Sequence, residues 1–248
     1  DRDKYDLSTL VDIAAGGAPR PAEHVRRIMD EMGKTPAIGY GLTETNGVGA
    51  GNLRDSYLAR PNSTGRASKP MVQIAIRDES LNEVAQGVRG EVCIRSVCNV
   101  REYWRDPAAT AAAFPGDGWF LTGDIGYLDE DGYLFIVDRK KDIIIRGGEN
   151  IAAQEVEAAL YAHPAVAECS VFGLPDEHMG ETVAAVVYLK PGEEIGSDAL
   201  VDFARNELAA FKLPEKVWLV AEPLPKLGSA KIDKMALRKT YREREAAA

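Results

Sequence analysis

The chain has 248 residues, of which 45% are hydrophobic and 28% are charged, so it is a globular composition with enough length to bury a core. Its formal net charge of −9 argues against a non-specific nucleic-acid binder, which normally presents a basic surface. The three cysteines lack paired metal-site spacing, and an odd number in a chain this long does not indicate a disulfide framework.

No apolar run approaches the length of a membrane span, so no transmembrane segment is predicted. The first residues lack the basic-then-apolar pattern of a signal sequence, and the cysteines are interpreted as reduced. These observations predict a cytoplasmic location. Basic residues gather at 139–146 and 226–244, a pattern typical either of an anionic-ligand site or of a solvated face.

The beginning of the chain has the pattern strand, helix, strand. Residues 10–15 and 37–40 are apolar runs, and residues 21–32 between them have helical spacing. This order predicts a βαβ unit with two parallel strands.

Shorter alternating segments follow. Residues 72–76 and 91–95 alternate between apolar and polar, which indicates antiparallel strands. Asp106 and Pro107 are typical of a helix start, with aspartate as N-cap and proline in the first turn. A hairpin is predicted at 125–137. We expect these strands to form a small antiparallel β-barrel.

Five consecutive charged residues at 138–142 interrupt the apolar pattern, and strands and helices alternate again beyond them. We therefore predict two domains. The first covers 1–138, with the βαβ segment in about the first 60 residues and the barrel in the remainder. The second, 139–248, is expected to be a mobile α+β domain. The predicted fold class is α/β and α+β.

Two glycine-containing segments resemble nucleotide-binding loops but lack the required spacing. The sequence MGKT at 32–35 has Ile28 where a P-loop needs its first glycine. The sequence GVGAG at 47–51 does not follow a strand with the dinucleotide-binding spacing. Both are interpreted as turns.

Four other segments contain residues suited to chemistry. They are GGAP at 16–19, GYGLTET at 39–45, the long stretch at 118–160, and LPKLGSAKIDKMALR at 224–238. From residue type alone, Thr43 and Glu44 suit a phosphate contact and a magnesium ligand, or equally the acidic start of a helix. Lys231 by itself has the pattern of a solvated lysine in a basic helix.

Together these segments resemble the adenylate-forming superfamily of acyl-CoA synthetases, luciferases and peptide-synthetase adenylation domains. The resemblance extends along the whole chain. It implies an AMP-forming ligase that uses ATP and Mg²⁺ to activate a carboxylic acid, expected to be a fatty acid, and then forms a thioester with CoA. The alternatives are an adenylation domain from another branch and a non-catalytic scaffold that keeps the fold.

The resemblance also implies residue roles in nucleotide binding. These are assigned to Gly16, Gly17, Ala18, Tyr40, Gly41, Asp124 and Arg139. Tyr40 is expected to pack on the adenine, and Asp124 to accept hydrogen bonds from the ribose hydroxyls. Without the resemblance, Asp124 would be interpreted as a turn cap and Arg139 as a surface residue.

Catalytic roles are implied for Thr43, for Glu44 as the metal ligand, and for Lys231, which is expected to bridge the carboxylate and the α-phosphate. The family usually has glycine before this lysine, whereas Ala230 stands here. We expect the lysine to remain usable unless the backbone at Ala230 needs a positive φ.

Domain alternation is expected to pivot at Lys141, so that the second domain serves first adenylation and then thiol attack. Gly147 and Gly148 are expected to line the CoA tunnel, although the same pair could be a plain turn. The phosphate loop and most of the acyl pocket of this family precede GGAP, and residues 1–15 resemble neither. We therefore expect the chain alone to be inert or nearly so, and to self-associate through exposed apolar surface.

Overall fold

The structure, a computed structural model, describes residues 4–17, 22–228 and 230–246. Contacts divide the chain into two compact units, Asp1–Ile136 and Val137–Ala248. The boundary predicted from sequence follows Asp138 rather than Ile136. The mobility of the second unit stays a prediction.

A mixed sheet begins the first unit. Among the described residues its strands have the order β1-β2-β3-β4, namely Asp12–Gly16 (β1), Thr35–Tyr40 (β2), Ala50–Leu53 (β3) and Arg66–Ala67 (β4). The helices that accompany it are Ala22–Met32 (α1) and Arg54–Ala59 (α2). β1 and β2 are parallel, with Gly16 opposite Gly39, which confirms the predicted βαβ unit. The carboxyl ends of β1 and β2 therefore meet at one edge of the sheet.

A second, antiparallel sheet follows in the order β5-β6-β7-β8. Its strands are Val72–Arg77 (β5), Gly90–Ser96 (β6), Phe120–Leu128 (β7) and Leu134–Arg139 (β8), and helix α3 (Pro107–Ala113) precedes β7. The Asp106 side chain accepts a hydrogen bond from the Ala109 amide at 2.9 Å, as expected for the N-cap.

The predicted barrel is wrong, because within the described residues this sheet is open rather than closed. Alternation along a strand determines which side chains face the core, but it does not determine whether the first and last strands meet. Closure requires tilt and register stagger around the whole barrel, and four strands are fewer than small barrels use.

The second unit is α+β, as predicted. Its sheet has the order β10-β9-β12-β11, with β13 parallel to β12, in the strands Ile144–Arg146 (β9), Glu149–Ile151 (β10), Val166–Asp176 (β11), Gly180–Leu189 (β12) and Lys216–Val220 (β13). Its helices are Ala153–Tyr161 (α4), Ser197–Ala204 (α5) and Lys234–Ala246 (α6).

Both faces of this sheet are covered. On one face Val183 and Val187 pack with α4 and α5, and on the other Val186 packs with Leu237 and Tyr241 of α6. Successive β12 side chains point to opposite faces, so the strand is an almost continuous apolar run. This packing fixes α6, which begins three residues after Lys231. No helix in the described ranges has the length and apolarity needed to cross a membrane.

Candidate active site

The GYGLTET segment forms a locked turn at the end of β2. Residues Thr43–Thr45 form a 3₁₀ turn in which the Leu42 amide donates to Thr45 Oγ1 at 3.0 Å and the Thr45 amide donates to the Leu42 carbonyl at 3.1 Å. Thr45 is buried, Thr43 is exposed and Glu44 is half-buried. The buried threonine therefore holds the turn, while its two neighbours remain accessible to a ligand.

Gly41 is required by a close backbone approach. A Cβ at this position would lie 2.3 Å from the Gly47 carbonyl oxygen, closer than any real contact. The turn ends at Asn46, whose φ of 49° is left-handed and whose Nδ2 donates to the Cys98 carbonyl at 2.6 Å. The structure thus gives Gly41 a role in shaping the turn, beside its implied role in nucleotide binding.

Tyr40 and Asp124 meet directly. The Tyr40 hydroxyl donates to Asp124 Oδ2 at 2.6 Å, and the Asp124 amide donates to Thr122 Oγ1 at 3.1 Å. Asp124 lies on β7 and is only 4% exposed. Two residues predicted separately, one for the adenine and one for the ribose, therefore share a hydrogen bond although 84 positions separate them.

Glu44 has a partner that sequence reasoning missed. Its Oε1 accepts a hydrogen bond from the Tyr103 hydroxyl at 2.8 Å, and its backbone carbonyl accepts from the Val100 amide at 2.7 Å. Tyr103 is itself held, because its amide donates to Thr110 Oγ1 at 2.9 Å. Burial, with the hydrogen bond to Glu44, raises the pKa of Tyr103 to about 12, so the phenol is a donor at neutral pH.

The described residues contain no group of three or more His, Cys, Asp or Glu side chains that could hold a metal ion. Glu44 offers a single carboxylate. That donor set fits Mg²⁺, which commonly binds one or two carboxylates and completes its shell with substrate phosphates and water. The residues present therefore fit the metal that the resemblance implies.

Gly16 and Gly17 lie beside this turn. Gly16 ends β1, and a Cβ there would lie 3.0 Å from the Gly39 carbonyl oxygen. Gly17 has a φ of 83°. Ala18 lies outside the described residues. The glycine segment and the GYGLTET segment therefore occupy the same sheet edge.

The remaining predicted residues belong to the second unit. Arg139 is the exposed last residue of β8, and Lys141 is exposed in the 3₁₀ turn Lys140–Asp142. Gly147 and Gly148 connect β9 to β10 with φ values of 58° and 87°. Two positive φ values are typical of a tight hairpin turn, so the pair does form a turn, and its CoA role stays a prediction.

Lys231 is exposed at the end of a small hairpin. The Leu227 amide donates to the Lys231 carbonyl at 2.8 Å, and the Ala230 amide donates to the Leu227 carbonyl at 2.9 Å. Ala230 has a φ of 62° and occupies the left-handed position at which short hairpin loops favour glycine. The backbone at Ala230 does need a positive φ, which is the case in which the use of Lys231 was not expected. Alanine nevertheless adopts this φ, at a cost of about 1 kcal/mol, and the Lys231 side chain stays exposed and accessible.

Residues 1–104 match the AMP-binding enzyme family, and residues 155–231 match the AMP-binding enzyme C-terminal domain. Long-chain-fatty-acid–CoA ligase FadD13 of Mycobacterium tuberculosis is 41% identical over 226 residues, which are 91% of this chain and 44% of that protein.

Two solved structures are also similar. ATP-bound MatB from Rhodopseudomonas palustris has a TM-score of 0.85 at 35% identity, and the match covers 93% of this chain and 45% of the MatB chain. The amide bond synthetase McbA from Marinactinospora thermotolerans has a TM-score of 0.86 at 35% identity, and the match covers 96% of this chain and 48% of the McbA chain. The chain thus spans about half the length of the relatives it matches. With both family models matched in order and the motif residues placed as described, the chain belongs to the adenylate-forming superfamily of AMP-binding enzymes.

Proposed function

We propose that the whole protein is an acyl-CoA synthetase. It joins a carboxylic acid to the α-phosphate of ATP and releases pyrophosphate, and then transfers the acyl group to the thiol of CoA and releases AMP. The expected acid is a fatty acid, since similar proteins include long-chain-fatty-acid–CoA ligases.

The hydrogen bond between Tyr40 and Asp124 is the observation that carries the proposal. It puts an aromatic ring beside a nearly buried carboxylate at the end of β2, next to the Gly16 backbone. An aromatic face suits a purine base, and a carboxylate suits vicinal hydroxyls. The three groups together fit an adenosine better than they fit an isolated phosphate or sugar.

The adenylation step brings a carboxylate against a triphosphate, so it requires cations and donors where negative charge increases. Thr43 is exposed beside Glu44 and supplies a hydroxyl for a phosphate oxygen. Mg²⁺, held through Glu44, neutralises phosphate charge when bound. Lys231 supplies a compact ammonium on a flexible side chain, for the developing charge between the acid and the α-phosphate.

The second step is assigned to the second unit. Lys141, exposed in its 3₁₀ turn, is the proposed pivot, and Arg139 beside it is the proposed second ribose contact. Gly147 and Gly148 form a turn without side chains, past which the thin pantetheine arm of CoA could reach the adenylate. The cytoplasmic location remains part of the proposal.

A second candidate function has the same adenylation step but a different acceptor for the acyl group. The amide bond synthetase McbA is as similar in fold and identity as MatB is. An amine would then replace the thiol in the second step. Supplying CoA or an amine to the same preformed acyl-adenylate separates the two functions.

Because the chain spans about half the length of its relatives, activity is proposed for the whole protein, and the isolated chain is expected to be inert or nearly so. Titration of the isolated chain with ATP and with an acyl-adenylate in a calorimeter distinguishes a partial enzyme from a scaffold. Weak binding is expected of the partial enzyme and none of the scaffold.

The decisive experiment incubates the full-length protein with ATP, Mg²⁺, CoA and a panel of carboxylic acids. Acid-dependent exchange of labelled pyrophosphate into ATP reports the first half-reaction, and acyl-CoA formed from supplied acyl-adenylate reports the second. AMP and acyl-CoA are expected in equal amounts. Production of ADP, or no exchange with any acid, would overturn the proposal.

A further inference from the structure

A group of charged side chains that are mostly shielded from solvent lies at the beginning of α6. The Lys234 ammonium is 2.9 Å from Glu157 Oε1, and the two side chains are only 21% and 17% exposed. Asp138 is fully buried, and its charge also acts on Lys234. The sequence had suggested that Lys234 belongs to a basic run facing solvent or a ligand, whereas the structure buries it against carboxylates.

Lys234 also stands at the unfavourable end of its helix. It is the first residue of α6, where the helix carries a partial positive charge that disfavours a cation. The N-terminal end is already capped, because the Asp233 side chain accepts from the Ala236 amide at 3.0 Å. The positive charge of Lys234 therefore does not stabilise α6 through the helix dipole. The favourable interactions of its ammonium group are with Glu157 and Asp138.

The two carboxylates are fixed by backbone groups. Glu157 Oε1 accepts from the Val171 amide at 2.8 Å, and Asp138 accepts from the Arg139 and Gln154 amides at 2.7 and 3.2 Å. Burial raises the pKa of both carboxyls, and Lys234 opposes this increase. Burial acts to lower the pKa of Lys234, but Glu157, Asp138 and Asp142 together outweigh it and leave that pKa raised, so the ammonium stays charged.

The segment between Lys234 and Lys231 has little freedom. The Asp233 amide donates to the Pro225 carbonyl at 2.8 Å, and Ile232 packs against the apolar cluster below α6. Ahead of the hairpin, the Lys226 ammonium donates to Glu168 Oε1 at 2.6 Å. The hairpin that carries Lys231 thus has an ion pair on each side in the sequence. The exposed pair of Lys226 with Glu168 precedes it, and the more buried pair of Lys234 with Glu157 follows it.

We infer that Lys234 is a positioning residue for adenylation: its buried ion pair with Glu157 fixes the first turn of α6 and, through it, the backbone from which Lys231 extends. The inference rests on the proposed function, because it takes Lys231 as the group that acts on ATP. A small displacement of such a group reduces the rate of the step that needs it, by up to roughly 100-fold for 1 Å.

The test measures both half-reactions in the full-length protein. Lys234→Met is expected to slow acid-dependent pyrophosphate exchange by roughly 10- to 100-fold while thioester formation from supplied acyl-adenylate stays near wild type. Lys234→Arg keeps the charge and is expected to recover most of the exchange. The matched control is Lys239→Met on the same helix, whose side chain is 77% exposed and whose partner Glu243 is 4.0 Å away.

Lys234→Met leaves the Glu157 carboxylate without its cation, which destabilises the fold. The double variant E157Q/K234M therefore tests the positioning role in a protein from which the whole pair has been removed. It removes the ion pair and keeps a carbonyl oxygen for the Val171 amide, and replacing a whole buried pair is often tolerated. The same selective loss of exchange is expected in it.

Equal losses in both half-reactions, or normal exchange in a folded E157Q/K234M protein, would overturn the positioning role while leaving the proposed function intact. Normal exchange in Lys231→Ala would instead overturn the role assigned to Lys231, and the inference with it, whereas no exchange with any acid in the wild-type protein would overturn the proposed function itself.

Discussion

The hydrogen bond from Tyr103 to Glu44 gives a sharp test of the proposed metal site. Tyr103→Phe removes one hydroxyl and leaves in place the ring and the hydrogen bond that the residue 103 amide donates to Thr110 Oγ1. Without this donor, no hydrogen bond to the Glu44 carboxylate remains among the described residues, and the Val100 amide holds only the Glu44 backbone carbonyl. The carboxylate should therefore sample other orientations.

The magnitude follows from the kind of bond. A hydrogen bond to a charged group contributes about 1.5–3 kcal/mol, and the half-buried setting of both side chains favours the lower end. Since about 1.4 kcal/mol corresponds to a factor of ten, metal affinity should fall about tenfold. That is the lower limit of the range known for groups that orient metal ligands.

The assay measures Mn²⁺ binding to the full-length protein with ATP by electron paramagnetic resonance, together with the Mg²⁺ dependence of pyrophosphate exchange. Tyr103→Phe is expected to raise the half-maximal metal concentration about tenfold and to keep the rate at saturating metal near wild type. Tyr5→Phe, at a 69% exposed position, is the control. An unchanged metal dependence in Tyr103→Phe, alongside a large change in Glu44→Gln, would refute the orienting role.

Three further predictions concern the hairpin, the pivot and alkaline stability. Ala230→Gly should raise the free energy of unfolding by up to about 1 kcal/mol, because glycine adopts the positive φ of 62° without strain, and a lower melting temperature would contradict this. Lys141→Pro should slow thioester formation more than adenylation, because proline fixes φ at the proposed pivot, and equal slowing would count against the pivot. Burial raises the pKa of Tyr161 from 10.0 to about 12, so its folded pKa lies above the unfolded one. The stability that the neutral phenol contributes is complete below pH 10 and is lost as the pH rises toward 12. The free energy of unfolding, measured by urea denaturation, should therefore fall less steeply with pH in Tyr161→Phe than in wild type across that range. Parallel plots of free energy against pH for the two proteins would exclude the effect.

Local patterns predicted the elements well. The alternation in 72–76 and 91–95 marks β5 and β6 correctly, although the structure buries consecutive residues on opposite faces of both strands, Ala75 and Ile76 in β5 and residues 92–94 in β6. The Asp106–Pro107 pair marks the start of α3, because a cap and a fixed φ are local requirements. The Tyr40 and Asp124 assignments came from motif resemblance, and the structure brings these two side chains together.

Features that depend on distant contacts were not predictable in this way. Tyr103 lies in an exposed stretch without a motif, and only its fold-dependent contact with Glu44, 59 positions away, makes it notable. Lys234 looks like any lysine in a basic run, since its burial depends on Glu157 and Asp138. The positive φ of Ala230 is set by the hairpin hydrogen bonds rather than by the residue, whose own preference is the opposite.

The measurement that bears most directly on the central claim is the pair of half-reactions in the full-length Lys231→Ala variant. If this exposed lysine stabilises the charge between the acid and the α-phosphate, acid-dependent pyrophosphate exchange should be lost while thioester formation from supplied acyl-adenylate persists. Exchange at the wild-type rate in a folded Lys231→Ala protein would contradict the account.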